Sequence, residues 1–176
     1  HGFIGHHLVK ELIDLEYDVT VIDNYKFRTP DNQTEYDSLI ERRKAYIGPH
    51  HFIQTSVEDY KLEGYFDIVF HLGGYPRQHE TRVNISDAIK TTGLGLSNLN
   101  KQKEQIGKLV YFSTSMVYGD FTPQTTEEAI CEPLSTYGTL RLLGEELIKD
   151  NFSNALIIRP SAVYGPRDSS IRVVGK

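Results

Sequence analysis

The 176-residue sequence is poor in the residues that tie a chain down covalently or anchor it in a membrane: it has one cysteine, one methionine and no tryptophan. Cys131 alone cannot form an internal disulfide, which excludes a cross-linked secreted scaffold and fits a reducing compartment, so a cytoplasmic location is expected. It stands beside Glu132 and Pro133 in a turn-like stretch and reads as an ordinary small residue, not a nucleophile. Apolar runs such as Leu156–Ile158 are far too short to span a bilayer, so no membrane partner is expected. Positive charge is not in excess either: the net charge is −5 and the pI about 5.8, giving no ground for a nucleic-acid partner. His1, His6 and His7 raise the question of a metal. No Cys or acid lies at ligand spacing, and adjacent histidines point apart on a helix, so none is expected. His50, His51 and His71 read as structural in the same way. The one methionine is Met116, His1 opens inside a glycine motif and Val173–Lys176 closes on no element, so the chain is expected to be truncated at both ends.

The sequence does have a regular alternation of short apolar runs and longer amphipathic segments, the pattern of β-α-β units around a parallel sheet. Val19–Asp23, Phe52–Gln54, Ile68–Leu72, Leu109–Phe112 and Leu156–Ile158 are expected to be strands. Ile4, Leu8, Leu12 and Leu15 recur at helical spacing directly after Gly2 and Phe3. Ser135 to Lys149 predicts another helix, with Leu140, Leu143 and Leu147 on one face. Arg42, Arg43 and Lys44 read as a solvated helix face, and Gln33 to Glu35 and Pro123 to Glu128 as polar loops. With 39% hydrophobic and 24% charged residues, residues 1–176 are expected to form one soluble domain.

Gly2-Phe3-Ile4-Gly5 running into a helix has the form of the later part of a G-x-x-G-x-x-G loop. Glycine is needed there because a side chain would block a pyrophosphate or the helix–strand contact, and the helix N-terminus offers N–H groups to the phosphates. The Val19–Asp23 strand ends in an acid close to the ~20-residue spacing expected after such a loop. Asp23 can accept hydrogen bonds from both ribose hydroxyls and would repel a 2′-phosphate, which favours NAD over NADP; its other reading is a strand or turn cap. Arg28 is near enough in sequence to keep NADP open. The expected fold is therefore α/β, a doubly wound parallel sheet of the Rossmann type, an NAD-binding domain whose first strand precedes His1 and whose C-terminal substrate region is missing.

Three further segments carry a resemblance. Tyr111-Phe112-Ser113-Thr114-Ser115-Met116-Val117-Tyr118-Gly119 is a strand entering a hydroxyl-rich loop; Tyr137-Gly138-Thr139-Leu140-Arg141 opens a helix; Arg159-Pro160-Ser161-Ala162-Val163-Tyr164-Gly165-Pro166-Arg167 follows the last strand. Their order and spacing resemble the extended short-chain dehydrogenases/reductases, the nucleotide-sugar epimerase and dehydratase family, from the glycine loop to Arg167. The resemblance implies Tyr137 as acid/base and Thr114 as the hydroxyl that bonds the reacting oxygen. It implies a cation one helical turn after the tyrosine, usually lysine and here Arg141, because a tyrosine near pKa 10 is a poor base at neutral pH. It further implies Gly2, Phe3, Ile4, Gly5, Asp23, Asn24, Leu72, Gly73, Gly74, Tyr137, Arg141 and Pro160 as cofactor-binding residues, a nucleotide-sugar substrate, and a homodimer for the full-length protein. A packing tyrosine and a turn threonine are the plainer readings of Tyr137 and Thr114.

The chain departs from the family pattern at several places. Arg141 keeps the positive charge of lysine but cannot present a compact ammonium to a ribose edge, so Arg141→Lys is expected on sequence grounds to raise turnover. Thr92 and Ala162 stand where asparagines are usual, Ser56 where an aspartate is usual before the match at Asp59, and Gly73-Gly74 replaces a pair of alanines. Ser115 and Met116 occupy the places where family dehydratases and decarboxylases put an acid. Reversible oxidation with return of hydride to the opposite face needs no such acid, so an epimerase is expected. A dehydratase or reductase of the same family, or a non-catalytic NAD-binding domain, are the alternatives. Arg77, in the loop Tyr75–Gln78, could meet a sugar or phosphate or be a plain surface arginine. If Asp23 binds the ribose diol, the full-length protein will bind NAD well over NADP in calorimetry and Asp23→Ala will erode the preference; equal affinities in the unmutated protein would remove Asp23 from the site.

Overall fold

The computed structural model describes residues 1–26, 33–120, 122 and 125–168, with the backbone alone of Gln33. Arg28, Pro123, Gln124 and Val173–Lys176, which entered the sequence reading, lie outside the described residues. All five expected strands form, each shifted by a residue or more: β1 Thr20–Ile22, β2 His51–Ile53, β3 Phe66–His71, β4 Ile106–Phe112 and β5 Ala155–Ile158. The described residues pair them in two all-parallel sheets, β1-β2 and β3-β4-β5. Each parallel connection requires a crossover, supplied by α2 (Gln33–Ile47) between β1 and β2, and by α6 (Thr136–Asn151) between β4 and β5. Between β3 and β4 run α3 (Gln78–Val83), α4 (Ile85–Ile89), a π-helical turn Lys90–Leu94 and α5 (Gly95–Lys101). None of these helices is long and apolar enough to cross a membrane among the described residues.

Chain contacts divide the described residues into two compact units, one drawn from His1–Thr55 and Ala162–Lys176, the other from Ser56–Ser161. In the first, α1 (Phe3–Asp14) packs on α2, and Val9, Val21 and Ile47 form a small core with Ile13, Val19 and Phe52 against it. Gln33–Glu35 is not a loop but the first turn of α2, where Glu35 favours the positive helix end. Burial of Leu39, Ile40, Arg43 and Ile47 on one face draws that turn into the helix. Arg43 is correspondingly not solvated: it donates to the carbonyl oxygens of His1 at 3.2 Å and of Arg167 at 2.8 and 3.1 Å.

In the second unit β4 is central. Leu109, Val110 and Tyr111 are buried in succession, so both faces of the strand are covered, as a parallel sheet flanked by layers requires. Leu96, Leu99, Leu109, Tyr111 and Ile148 make the core, each apolar side chain contributing on the order of 1.5–3 kcal/mol. Ser135 caps α6 by accepting the Gly138 N–H at 3.1 Å, worth about 1 kcal/mol. Of the leucine face expected of the helix, Leu147 packs against the core and Leu140 is partly buried, but Leu143 is exposed, and the buried positions are Gly138, Arg141, Gly144, Glu145 and Ile148. Apolar spacing misses this face because two of its members are charged and two are glycines. Gly144 lies over Tyr111, whose hydroxyl would collide with any Cβ there.

Candidate functional site

The first unit holds the residues expected to meet phosphate and ribose. α1 starts at Phe3 after an extended Gly2, with no side-chain cap and no acid in its first turn. An uncapped helix start is a ready anion site. A Cβ on Gly2 or Gly5 would meet nothing within 4 Å, so packing within the chain does not demand glycine at either place. The open space suits a dinucleotide, whose pyrophosphate a side chain would obstruct. Asp23 follows β1, its Oδ1 accepting the Tyr25 N–H at 2.9 Å and its Oδ2 lying 3.0 Å from the His1 backbone nitrogen. A carboxylate has lone pairs beyond those two bonds, and the side chain is 24% exposed, so a diol can reach it. Asn24 forms its own small turn, its side-chain oxygen accepting the Lys26 N–H at 2.9 Å. These residues fit the adenosine half of NAD.

The second unit holds the residues expected to act on a substrate. Thr114 lies two residues beyond β4 and caps a short 3-10 turn, Ser115–Tyr118, by accepting the Met116 N–H at 3.3 Å. Pro160, beyond β5, accepts the Ser115 N–H at 2.9 Å. A Cβ on Gly138 would sit 2.7 Å from the Met116 carbonyl oxygen, so its absence lets the start of α6 close on the turn that Thr114 caps. Tyr137 is therefore carried beside that turn. Arg141, one helical turn on, places its guanidinium carbon 5.4 Å from the centre of the Tyr137 ring. It is buried and donates to the carbonyl oxygens of Tyr75 at 3.1 Å and Phe112 at 3.3 Å. Tyr75, Thr81, Thr92, Tyr137 and Arg141 border a cavity of about 10 Å³, room for about one water. Leu72 and Gly73 continue from the end of β3, and Gly74 adopts φ +135° against the Arg141 guanidinium. Arg77 pairs with Glu80 at 3.6 Å.

Burial and charge fix the protonation of this layer. Burial, with the Arg141 charge adding to it, holds His71 down at about 4, so the imidazole that stacks on Tyr111 is neutral. Burial pushes the Tyr111 phenol up, against the pull of Arg141. Burial opposes the charge of Arg141, but the nearby Tyr111 and Tyr137 phenols favour it, and the balance is upward. The network that sequence reasoning passed over lies one turn further along α6. Glu145 has no exposed surface and accepts Arg159 Nε at 2.9 Å, Arg159 Nη2 at 2.6 Å and the Ser113 hydroxyl. Its available signal was position: Glu145 follows Arg141 by four residues, as Arg141 follows Tyr137.

Parallel α/β sheets, an uncapped helix after a glycine pair with an acid after the next strand in the first unit, and a tyrosine–arginine helix in the second are the features of a dinucleotide-dependent class of proteins. The chain belongs to the NAD dependent epimerase/dehydratase family, whose model matches residues 1–175. It is 32% identical over 177 residues to an uncharacterized UDP-glucose epimerase, YtcB, of Bacillus subtilis, covering 94% of this chain and 55% of that one. It is 28% identical to a UDP-N-acetyl-alpha-D-glucosaminuronate decarboxylase of Bacillus cytotoxicus, covering 94% of this chain and 53% of that one. Its structure is similar to UDP-glucuronic acid 4-epimerase from Bacillus cereus in complex with UDP-glucuronic acid and NAD. The TM-score is 0.80 at 25% identity, over 99% of this chain and 58% of that one. The chain thus spans about half the length of the curated relatives it matches.

The neutral His71 generates a pH dependence. Its folded pKa of about 4 lies below the 6.5 of an unfolded histidine, so between these values the unfolded chain binds more protons. Stability contributed by the neutral ring is complete above pH 6.5 and is lost as pH falls toward 4. Urea unfolding of the full-length protein at pH 7 and 4.5 will show a loss to which His71 contributes roughly 2–3 kcal/mol; His71→Phe will remove that share and leave the part due to His6, which burial likewise holds down at about 4.

Proposed function

We propose that the full-length protein is an NAD-dependent nucleotide-sugar epimerase that works by transient oxidation of a sugar hydroxyl. The observation that carries this is the Tyr137–Arg141 pair, set on a helix whose start closes on the turn capped by Thr114. In this reading Tyr137 takes the hydroxyl proton and gives it back, and the Thr114 hydroxyl bonds the reacting oxygen. Gly2, Phe3, Ile4, Gly5, Asp23 and Asn24 hold the adenosine and pyrophosphate half of NAD, and Leu72, Gly73, Gly74 and Pro160 line the other half. Bound NAD supplies the hydride acceptor, and an epimerase needs nothing more, since hydride returned to the opposite face restores the cofactor. Ser115 and Met116 support this choice over dehydration, because neither can act as an acid. Residues 1–176 act as one NAD-binding domain, and the lone Cys131 favours the cytoplasm.

The commitment of Arg141 to two backbone carbonyls favours a second reading, a domain that binds NAD without turning over a sugar. Incubation of the full-length protein with UDP- and GDP-sugars separates the two: epimers of unchanged mass are expected by chromatography and mass spectrometry. Loss of water or carbon dioxide would replace the epimerase with a dehydratase or decarboxylase, and NAD binding without conversion would favour the second reading.

The protein is further proposed to act as a homodimer. Val83, Ile85, Ile89 and Leu94 expose large apolar surfaces along the α3–α5 segment, and Leu143 does so on α6. Repeated exposure of large apolar side chains along one segment supports reading it as a surface meant to be covered. Sedimentation of the full-length protein is expected to give a dimer that Ile89→Glu with Leu94→Glu converts to monomer.

A further inference from the structure

We infer that Gly74 and Arg141 are one matched unit, and that Arg141 is a positioning residue: it fixes the loop after β3 to the end of β4 beneath Tyr137. The inference rests on the reading of Tyr137 as the acid/base. Two departures from the family pattern that look independent in sequence meet in the structure. Gly74 takes φ +135°, which strains any side chain there, and beyond that a Cβ would stand 3.0 Å from Arg141 Nη2, 3.3 Å from Nη1 and 3.4 Å from Cζ, so alanine would also press on the guanidinium plane. The plane cannot swing away freely, because Nη1 is held by the Phe112 carbonyl and Nη2 by the Tyr75 carbonyl. Phe112 ends β4, one residue from Ser113 and two from Thr114, and Tyr75 follows Gly74 directly. The fork therefore joins the end of β4 to the loop after β3, which a point-like ammonium cannot do in the same way.

The charge is buried, and among the described residues it has no carboxylate partner. The other groups around it are accounted for: Glu145 of α6 is bound by Arg159, Glu80 of α3 by Arg77, and Asp87 of α4 accepts the Tyr75 hydroxyl at 3.3 Å. His71 of β3 is neutral, which leaves the phenols of Tyr111 and Tyr137 as the acidic groups that feel Arg141. A guanidinium stays charged throughout the working pH range, whereas a lysine buried there would lose its proton at a depressed pKa. Arginine thus supplies a charge that does not titrate, and Gly74 supplies the room for it. This reverses the expectation drawn from sequence: Arg141→Lys alone will lower turnover, since it leaves a space at Gly74 and gives up the fork.

The test is a double-mutant cycle in the full-length protein with Gly74→Ala, Arg141→Lys and both together, read by thermal unfolding, NAD affinity and the pH dependence of kcat. Each single change is expected to cost about tenfold in kcat, while the double variant falls at least about fivefold short of the product of the two costs. The double variant is also expected to melt above Gly74→Ala alone. Both lysine-bearing proteins will show a fall in kcat at alkaline pH that the unmutated protein lacks. A cost of Arg141→Lys that is the same with and without Gly74→Ala, or a double variant no more stable than Gly74→Ala alone (unfolded proteins included), overturns the pairing. An unchanged alkaline limb overturns the charge argument. A protein that binds NAD but turns over no sugar would refute the catalytic reading while the melting cycle still decides the pair.

Discussion

A carboxylate with no exposed surface has to be neutralised where it stands, and the second unit is organised around that requirement at Glu145. Its two oxygens receive Arg159 and the Ser113 hydroxyl, which ties the middle of α6 to the ends of both β4 and β5. Arg159 extends the tie, donating to the Tyr118 hydroxyl at 2.8 Å and the Glu127 carbonyl at 3.0 Å. Such a pair adds little net stability over apolar packing, but removing one partner typically costs about 3–5 kcal/mol because the other is stranded. Its value lies in register. With Glu145 fixed, Arg141 and Tyr137 are set at one and two turns toward the helix start, opposite the strand ends that carry Thr114 and Pro160.

Much of this was legible from residue order. The five strands are rich in Val, Ile and Phe, residues that suit parallel strands, and β4, covered on both faces, shows the demand most plainly. The glycine pair and the acid after β1 were readable as a proposed site for a different reason, since they have the residue types and the spacing that a dinucleotide would impose. The 3.6-residue period located α1 and α6, and Ser135 was readable as the latter's start.

The unread parts share a cause, which is that charged residues were assumed to face water. Arg43 reads as one of three cations in a row on α2, yet it serves the carbonyls of His1 and Arg167. Leu143 reads as core and is exposed, while Arg141 and Glu145 beside it are inside. The contact between Gly74 and Arg141 joins positions 67 residues apart, and nothing local to either announces the other. A buried polar layer is specified by partners, and partners are a property of the fold.

The two inward glycines of α6 have an effect on folding as well as on fit. Each weakens an isolated helix by about 1 kcal/mol relative to alanine, so a 16-residue segment carrying both has little tendency to coil by itself. What makes it helical is contact with β4 and the 3-10 turn, which those glycines permit. Order in the helix and order in the sheet must therefore arise together, and partial melting that freed α6 would have no helical intermediate to rest in. The tyrosine it carries is consequently either in register with the strand ends or not positioned at all.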